Sequence, residues 1–171
     1  TKIPPVEAMP WLPDGRAWQI SCSKRELKMS PLLKLLKQYL HQESEMGNIT
    51  RQEQVSMIPP ALLEAKPGEM VLDMCASPGS KTSQIMEDMM FGAKNLHSYE
   101  DLGLVVANDV DTKRAYMLVH QCARLRSPLI CATAHPGQNF PSLKNFPGYE
   151  KKSGSFDRVL CDVPCSGDGT A

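Results

Sequence analysis

No run of residues in this sequence approaches the roughly eighteen apolar positions that a membrane-spanning helix requires. Its opening residues, TKIPPVEAMPW, lack the charged-then-apolar layout of a secretory leader. Net charge is also missing: nineteen basic groups meet nineteen acidic ones. That balance excludes a strongly basic nucleic-acid binder and an acidic tail. The cysteines Cys22, Cys75, Cys122, Cys131, Cys161 and Cys165 include no C-x-x-C pair, and no histidine stands at zinc-finger spacing from a cysteine pair. A disulfide framework and a structural zinc site are therefore unsupported, no metal is expected, and a reducing, intracellular compartment fits best. Cys75, Cys131 and Cys161 sit in or beside apolar runs and read as small core residues. There is no internal repeat and no low-complexity tract.

What is present suits a globular protein. The 171 residues are 42% hydrophobic and 22% charged, enough for one domain with a sizeable core. Charge is mildly uneven. Residues 1–60 hold eight basic and six acidic groups, and residues 61–171 hold eleven and thirteen. Residues 1–30 show little periodicity and read as an arm. From Pro31 the pattern turns helical, with Ser30 as cap. Leu32, Leu35, Leu36, Tyr39 and Leu40 form the expected apolar face, and Gly47-Asn48 the end. A segment from Thr50 to Met57 runs into Pro59-Pro60.

Beyond residue 60 strands and helices alternate. Strands are expected over 70–75, 104–109, 129–133 and 156–162, with helices over 81–90 and 112–124. This alternation predicts an α/β fold, a parallel sheet with right-handed crossovers. The boundary between an N-terminal arm with its helical segment (1–60) and this core (61–171) falls at residue 60.

Ligands of such sheets sit beyond the carboxyl ends of the strands. Three strand ends carry suitable groups. The small-residue loop Cys75-Ala76-Ser77-Pro78-Gly79-Ser80-Lys81 opens a helix, so its backbone N–H groups can approach a ligand. Asp109 ends the second strand, where a carboxylate can accept from two ribose hydroxyls. Asp162 ends the fourth. Together they suggest an adenosine-containing cofactor. The dinucleotide fingerprint G-x-G-x-x-G is absent, and Ser80 separates Gly79 from Lys81, which breaks a Walker loop. S-adenosyl-L-methionine, whose sulfonium is positive, remains the best candidate.

The segment Asp73-Met74-Cys75-Ala76-Ser77-Pro78-Gly79-Ser80-Lys81-Thr82 resembles the first motif of the Sun-family RNA (cytosine-5) methyltransferases. Asp162-Val163-Pro164-Cys165-Ser166-Gly167-Asp168-Gly169-Thr170 resembles their fourth, and residues 47–60 resemble the block before the first strand. Arg51-Gln52-Glu53 and Asn108-Asp109-Val110-Asp111 are similar to the tRNA-modifying branch. The resemblance implies a Rossmann-like methyltransferase core and methylation of cytosine carbon 5 in tRNA or another structured RNA. It also implies a place in the nucleus (nucleolus) or the cytoplasm.

The implied mechanism has a cysteine thiolate add to carbon 6 of the base, so that carbon 5 can attack the methyl group. In this family that nucleophile lies in a later Thr-Cys-Ser motif, which is expected beyond Ala171. Cys165 would assist product release, Asp162 would hydrogen-bond the base near the cofactor's methionyl end, and Lys81 would face the base or cofactor. Pro136 stands where the family usually has an aspartate for the adenine amino group, with His135 beside it. The chain reads as the cofactor-binding part of an enzyme, incomplete at its C-terminal side, inactive alone and prone to self-association along residues 156–162. The alternative is a non-catalytic S-adenosylmethionine- or RNA-binding module. A DNA-type enzyme attacking through Cys165 is disfavoured by the Arg-Gln-Glu segment and the Ser-Lys loop.

Overall fold

The structure, a computed structural model, describes residues 4–12, 15–96, 98–142 and 156–166. The end of the fourth motif, Gly167 to Thr170, lies outside the described residues. By its contacts the chain divides into two compact units, residues 1–49 and 50–171.

The first unit corrects the expectation of an arm over residues 1–30. Strands β1 (Val6–Ala8) and β2 (Trp18–Ile20) pair antiparallel, with Val6 opposite Ile20. A short helix, α1 (Lys24–Met29), follows. It starts at a capping box: Glu26 N–H donates to Ser23 Oγ, and Ser23 N–H donates to the Glu26 carboxylate at 2.8 Å. Helix α2 (Pro31–Glu45) begins as its sequence dictates, with Ser30 accepting from Leu33 N–H and Pro31 in the first turn. Its apolar face differs from the expected one. Leu33 is buried, whereas Leu32, Leu35 and Tyr39 are exposed. Periodicity finds an apolar stripe but does not say whether the unit covers it.

In the second unit a 3₁₀ turn (Gln54–Met57) passes directly into α3 (Ile58–Leu63). Pro59 and Pro60 do not stop the chain here. They occupy the first turn of α3, where a missing N–H costs nothing. Strand β3 (Met70–Asp73) leads to α4 (Ser80–Gly92), and a short helix α5 (Tyr99–Leu102) precedes β4 (Leu104–Asn108). Helix α6 (Thr112–Ala123), β5 (Ile130–Thr133) and β6 (Arg158–Leu160) complete the order. The four strands form a parallel sheet in the order β5–β4–β3–β6. The expected strand–helix alternation is present. The last strand, expected over 156–162, is only three residues long.

Val71, Val105 and Ala107 put apolar side chains into a core shared with Ile85, Met86 and Met89 of α4 and Leu118 and Cys122 of α6. Burial of each Val, Leu, Ile or Met side chain here is worth about 1.5–3 kcal/mol, and of Ala107 less. Cys122 is thus the buried cysteine. Cys131 and Cys161, expected in the core, are exposed, and Cys75 is half-buried. An apolar neighbourhood in sequence did not fix burial: Cys131 lies in β5, while Cys75 and Cys161 fall just beyond the ends of β3 and β6. Gly103 makes the turn from α5 into β4 at φ +84, and a Cβ there would strike the Glu69 backbone. Strand β6 is fastened by its flanks. Met70 N–H donates to Asp157 Oδ2 at 2.7 Å, and Arg158 bridges the Glu69 carboxylate and the Leu63 carbonyl, each at 2.7 Å.

Candidate functional site

The loop after β3 is shaped by its own backbone and by its neighbours. Ala76 N–H donates to the Asn108 carbonyl, and Gly79 N–H to the Ala76 carbonyl, both at 2.7 Å. Gly79, at φ +105, is the residue before α4 and provides no side-chain cap. A Cβ on it would press Leu118 and Cys122, so glycine also lets α6 pack close. The Ser77–Pro78 peptide is cis.

The end of β4 closes on this loop. Asp109, 3% exposed, accepts from Ser77 N–H, Asp111 N–H and Arg114 Nε at 3.1–3.3 Å. Arg114 returns to the Ser77 carbonyl at 3.0 Å, and Ser77 Oγ donates to the Arg114 carbonyl at 2.9 Å. Next to it Asn108 is fully buried. Its amide donates to the carbonyls of Met74 and His135, and its oxygen accepts from Thr133 Oγ1 and His135 N–H. Sequence reasoning assigned Asp109 to a cofactor ribose. In the structure both its oxygens already hold the chain together. It missed Asn108 and Arg114 as the other members of this clasp; the signal was a polar Asn-Asp pair closing an otherwise apolar strand.

A cavity of about 270 Å³ lies at the carboxyl ends of β3 and β6. Cys75, Ala76, Ser77, Pro78, Ser80, Lys81 and Asp162 of the expected site line it, joined by Asp73, which was not expected there, and by Arg51, Gln52, Glu53 and Ser56 from the segment before α3. Asp109 is not among the lining residues. Gly79 is buried beneath the loop. Lys81 Nζ and Asp162 Oδ2 are 2.8 Å apart. Lys81 is therefore not the solvent-facing helix lysine that its position alone suggests; its side chain is 20% exposed. Cys165 is exposed on the chain just beyond Asp162. His135 is exposed too, its ring edge-on to Phe140 at 6.1 Å.

Asp73 is the least comfortable group in the cavity wall. One carboxylate oxygen accepts from Thr82 Oγ1 at 2.7 Å, and the other is buried without a hydrogen-bond partner. Burial pushes its pKa up to about 6; the negative charge of Asp162 adds to the rise, while the Thr82 hydroxyl, Lys81 and the Cys75 backbone N–H oppose it. A buried, unpaired acceptor facing polar neighbours is the arrangement expected where a ligand donor completes the set. Among the described residues no cluster of His, Cys, Asp and Glu is arranged to hold a metal ion.

Three comparisons bear on this geometry. A model of the 16S rRNA methyltransferase RsmB/F family matches residues 60–171. The multisite-specific tRNA:(cytosine-C(5))-methyltransferase trm4b of Schizosaccharomyces pombe is 47% identical over 98% of this chain and 27% of its own length. The tRNA (cytosine(34)-C(5))-methyltransferase of Drosophila melanogaster is 47% identical over 95% of this chain and 22% of its own. The chain thus spans about a quarter of the length of these curated relatives. Among solved structures, a methyltransferase homolog protein from Pyrococcus horikoshii superposes with a TM-score of 0.55 at 26% identity, over 79% of this chain and 37% of that one. NSun6 from the same organism, determined with SFG, gives 0.54 at 24% identity, over 72% and 27%, a likeness of fold.

Proposed function

Because the chain belongs to the 16S rRNA methyltransferase RsmB/F family, we propose that the protein methylates carbon 5 of cytosine in tRNA, using S-adenosylmethionine held by these residues. Relatives at 47% identity that are named tRNA cytosine-C5 methyltransferases support the tRNA substrate. The observation that carries the reading is the cavity at the carboxyl ends of β3 and β6, where the Lys81–Asp162 pair meets the buried, unpartnered oxygen of Asp73.

The residues present fit the cofactor. The Cys75–Lys81 loop offers backbone N–H groups at the start of α4, and Asp73 and Asp162 give the wall negative character suited to a sulfonium and an ammonium. When bound, the cofactor supplies a methyl group made electrophilic by positive sulfur. The chain's own residues do the rest on this side of the reaction. Asp109 and Arg114 hold the loop in shape, Asp162 accepts from the exocyclic amine of the cytosine, and Lys81, a donor beside it, faces the base or cofactor. Cys165 acts on the methylated base to free the enzyme. Attack on carbon 6 is assigned to a Thr-Cys-Ser cysteine outside these 171 residues.

The test is methylation of an unmodified tRNA transcript by the full-length protein, read as 5-methylcytosine by mass spectrometry. Cys165→Ala is expected to trap enzyme–RNA covalent complexes on denaturing gels. Absence of 5-methylcytosine with wild-type protein overturns the reading; loss of the covalent complex in the variant makes Cys165 the attacking residue instead.

A further inference from the structure

The segment Arg51–Ser56 lines the cavity but has no part in the cofactor assignment above. Its backbone is anchored from α4. Thr50 Oγ1 and Glu87 Oε1 are 2.6 Å apart, and Gln84, 7% exposed, donates to the Met57 carbonyl at 3.0 Å. Within the segment Gln52 donates to the Ser56 carbonyl at 2.8 Å. The helix that begins at the cofactor loop therefore fixes both ends of this second wall.

The cations of the site differ in how they are compensated. Lys81 is paired with Asp162 at 2.8 Å, and nearby Arg114 with Asp109 at 3.1 Å. Arg51 lines the same cavity, is exposed, and has no carboxylate within ion-pair distance among the described residues. An arginine presented from an anchored backbone, with its charge unspent, is prepared for an anionic oxygen ligand. Two such ligands come near a methyltransferase site, a nucleic-acid phosphodiester and the carboxylate of the cofactor. The cofactor loop supplies backbone N–H donors for the latter, whereas nothing else described in the cavity wall supplies a free cation for the former.

We propose that Arg51 binds a backbone phosphate of the RNA beside the target nucleotide, and that the Arg51–Ser56 segment is the substrate wall of the cavity. This rests on the function proposed above. Phosphate contacts position a nucleic acid without reading its sequence, so Arg51 sets the register of the strand at the cavity mouth and leaves base recognition to Asp162 and Lys81.

The experiment measures tRNA affinity of the full-length protein against salt concentration for wild type, Arg51→Gln and Arg51→Lys, with S-adenosylmethionine affinity measured in parallel by calorimetry. For Arg51→Gln the expected result is tRNA binding weakened about tenfold and a log–log salt slope reduced by about one, with cofactor affinity within twofold of wild type. Arg51→Lys keeps the charge, so its slope stays at the wild-type value and its tRNA affinity falls less. An unchanged slope in Arg51→Gln overturns the proposal. Weaker cofactor binding with an unchanged slope overturns it in favour of the cofactor carboxylate. Should Arg51→Gln fail to fold, a reduced slope in Arg51→Lys overturns it equally. Wild-type protein that makes no 5-methylcytosine sinks the functional reading itself; wild type that methylates while Arg51→Gln binds tRNA as before sinks only the role of Arg51.

Discussion

The carboxyl end of β4 and the carboxyl ends of β3 and β6 lie in one sheet and are built from the same kinds of residue, yet they are finished differently. At β4 the polar groups are engaged: Asn108 and Asp109 are buried, and between them their side chains hydrogen-bond three stretches of chain, 74–77, 111–114 and 133–135. At β3 and β6 the groups are left over. Asp73 keeps a buried oxygen without a partner, Lys81 and Asp162 have mainly each other, and Arg51 has no counter-charge among the described residues. Satisfied polar networks fix a structure, and a buried group left unsatisfied calls for a water, an ion or a ligand to complete it. The carboxylate most attractive in the sequence, Asp109, accepts from three donors of its own chain, while one strand away Asp73, Lys81 and Asp162 line a cavity.

The comparison breaks most visibly at Asn108. Asn108→Ala removes four hydrogen bonds from a site without solvent, and a stability loss of about 3–4 kcal/mol is expected in urea denaturation of the full-length protein. A loss below 1 kcal/mol would mean that the β4 end is not the clasp described.

Asp73 gives the next largest effect, with a definite sign. In the fold it keeps its proton up to about pH 6, whereas unfolded it ionises near 3.8. Its contribution is therefore fully present below pH 3.8 and is lost as pH rises through 6, on the order of 3 kcal/mol in all. Stability measured from pH 4 to 8 is expected to fall with this dependence in wild type and to lack it in Asp73→Asn. Saturating S-adenosylmethionine is expected to flatten the wild-type curve, because a bound cation repays the ionised form.

Asp109→Ala sharpens the contrast by separating scaffold from ligand. Freed of Asp109, Ser77 and Arg114 lose their shared acceptor, and cofactor affinity is expected to drop by about 1.5–3 kcal/mol through loop disorder. Calorimetry giving unchanged affinity would remove Asp109 even from that indirect part. The smallest stability change belongs to Lys81→Gln. The Lys81–Asp162 pair is partly exposed, so its loss is expected to cost less than about 1 kcal/mol. Methyl transfer by the same variant is expected to fall about a hundredfold. A large stability loss with activity retained would reverse the assignment of the two strand ends.

Much of this was legible in the residues. Ser30-Pro31 announced the start of α2, and the apolar runs of β3 and β4, each ending on a polar residue, announced buried parallel strands. The loop between Asp73 and Lys81 was readable because small residues and a helix start have few other uses there. Other features were not. The hairpin over residues 6–20 has three-residue strands, too short for alternation to register, so it reads as arm. Cys131 and Cys161 were misplaced because β5 and the chain after β6 lie at the sheet's margins, where apolar neighbours do not guarantee burial. Arg51-Gln52-Glu53 stood out by resemblance, but its place in the cavity wall did not; only the turn into α3 brings the segment against α4, through Thr50 and Gln84.

The fastening of β6 has a consequence in time. The Glu69–Arg158 and Met70–Asp157 contacts join residues 89 and 87 positions apart, farther in sequence than the 32–37 positions spanned by the clasp between the Ser77 loop, Asp109 and Arg114. Closing the longer loop carries the larger entropy cost, so β6 is expected to dock after β3, β4 and β5 have paired. A chain emerging from the ribosome thus builds the β4 clasp first and has no Lys81–Asp162 pair until residue 162 has been made and laid down. Pulse-labelled amide exchange during refolding is expected to protect Val105 and Val106 before Val159, so that the cavity forms only after the β4 clasp is in place.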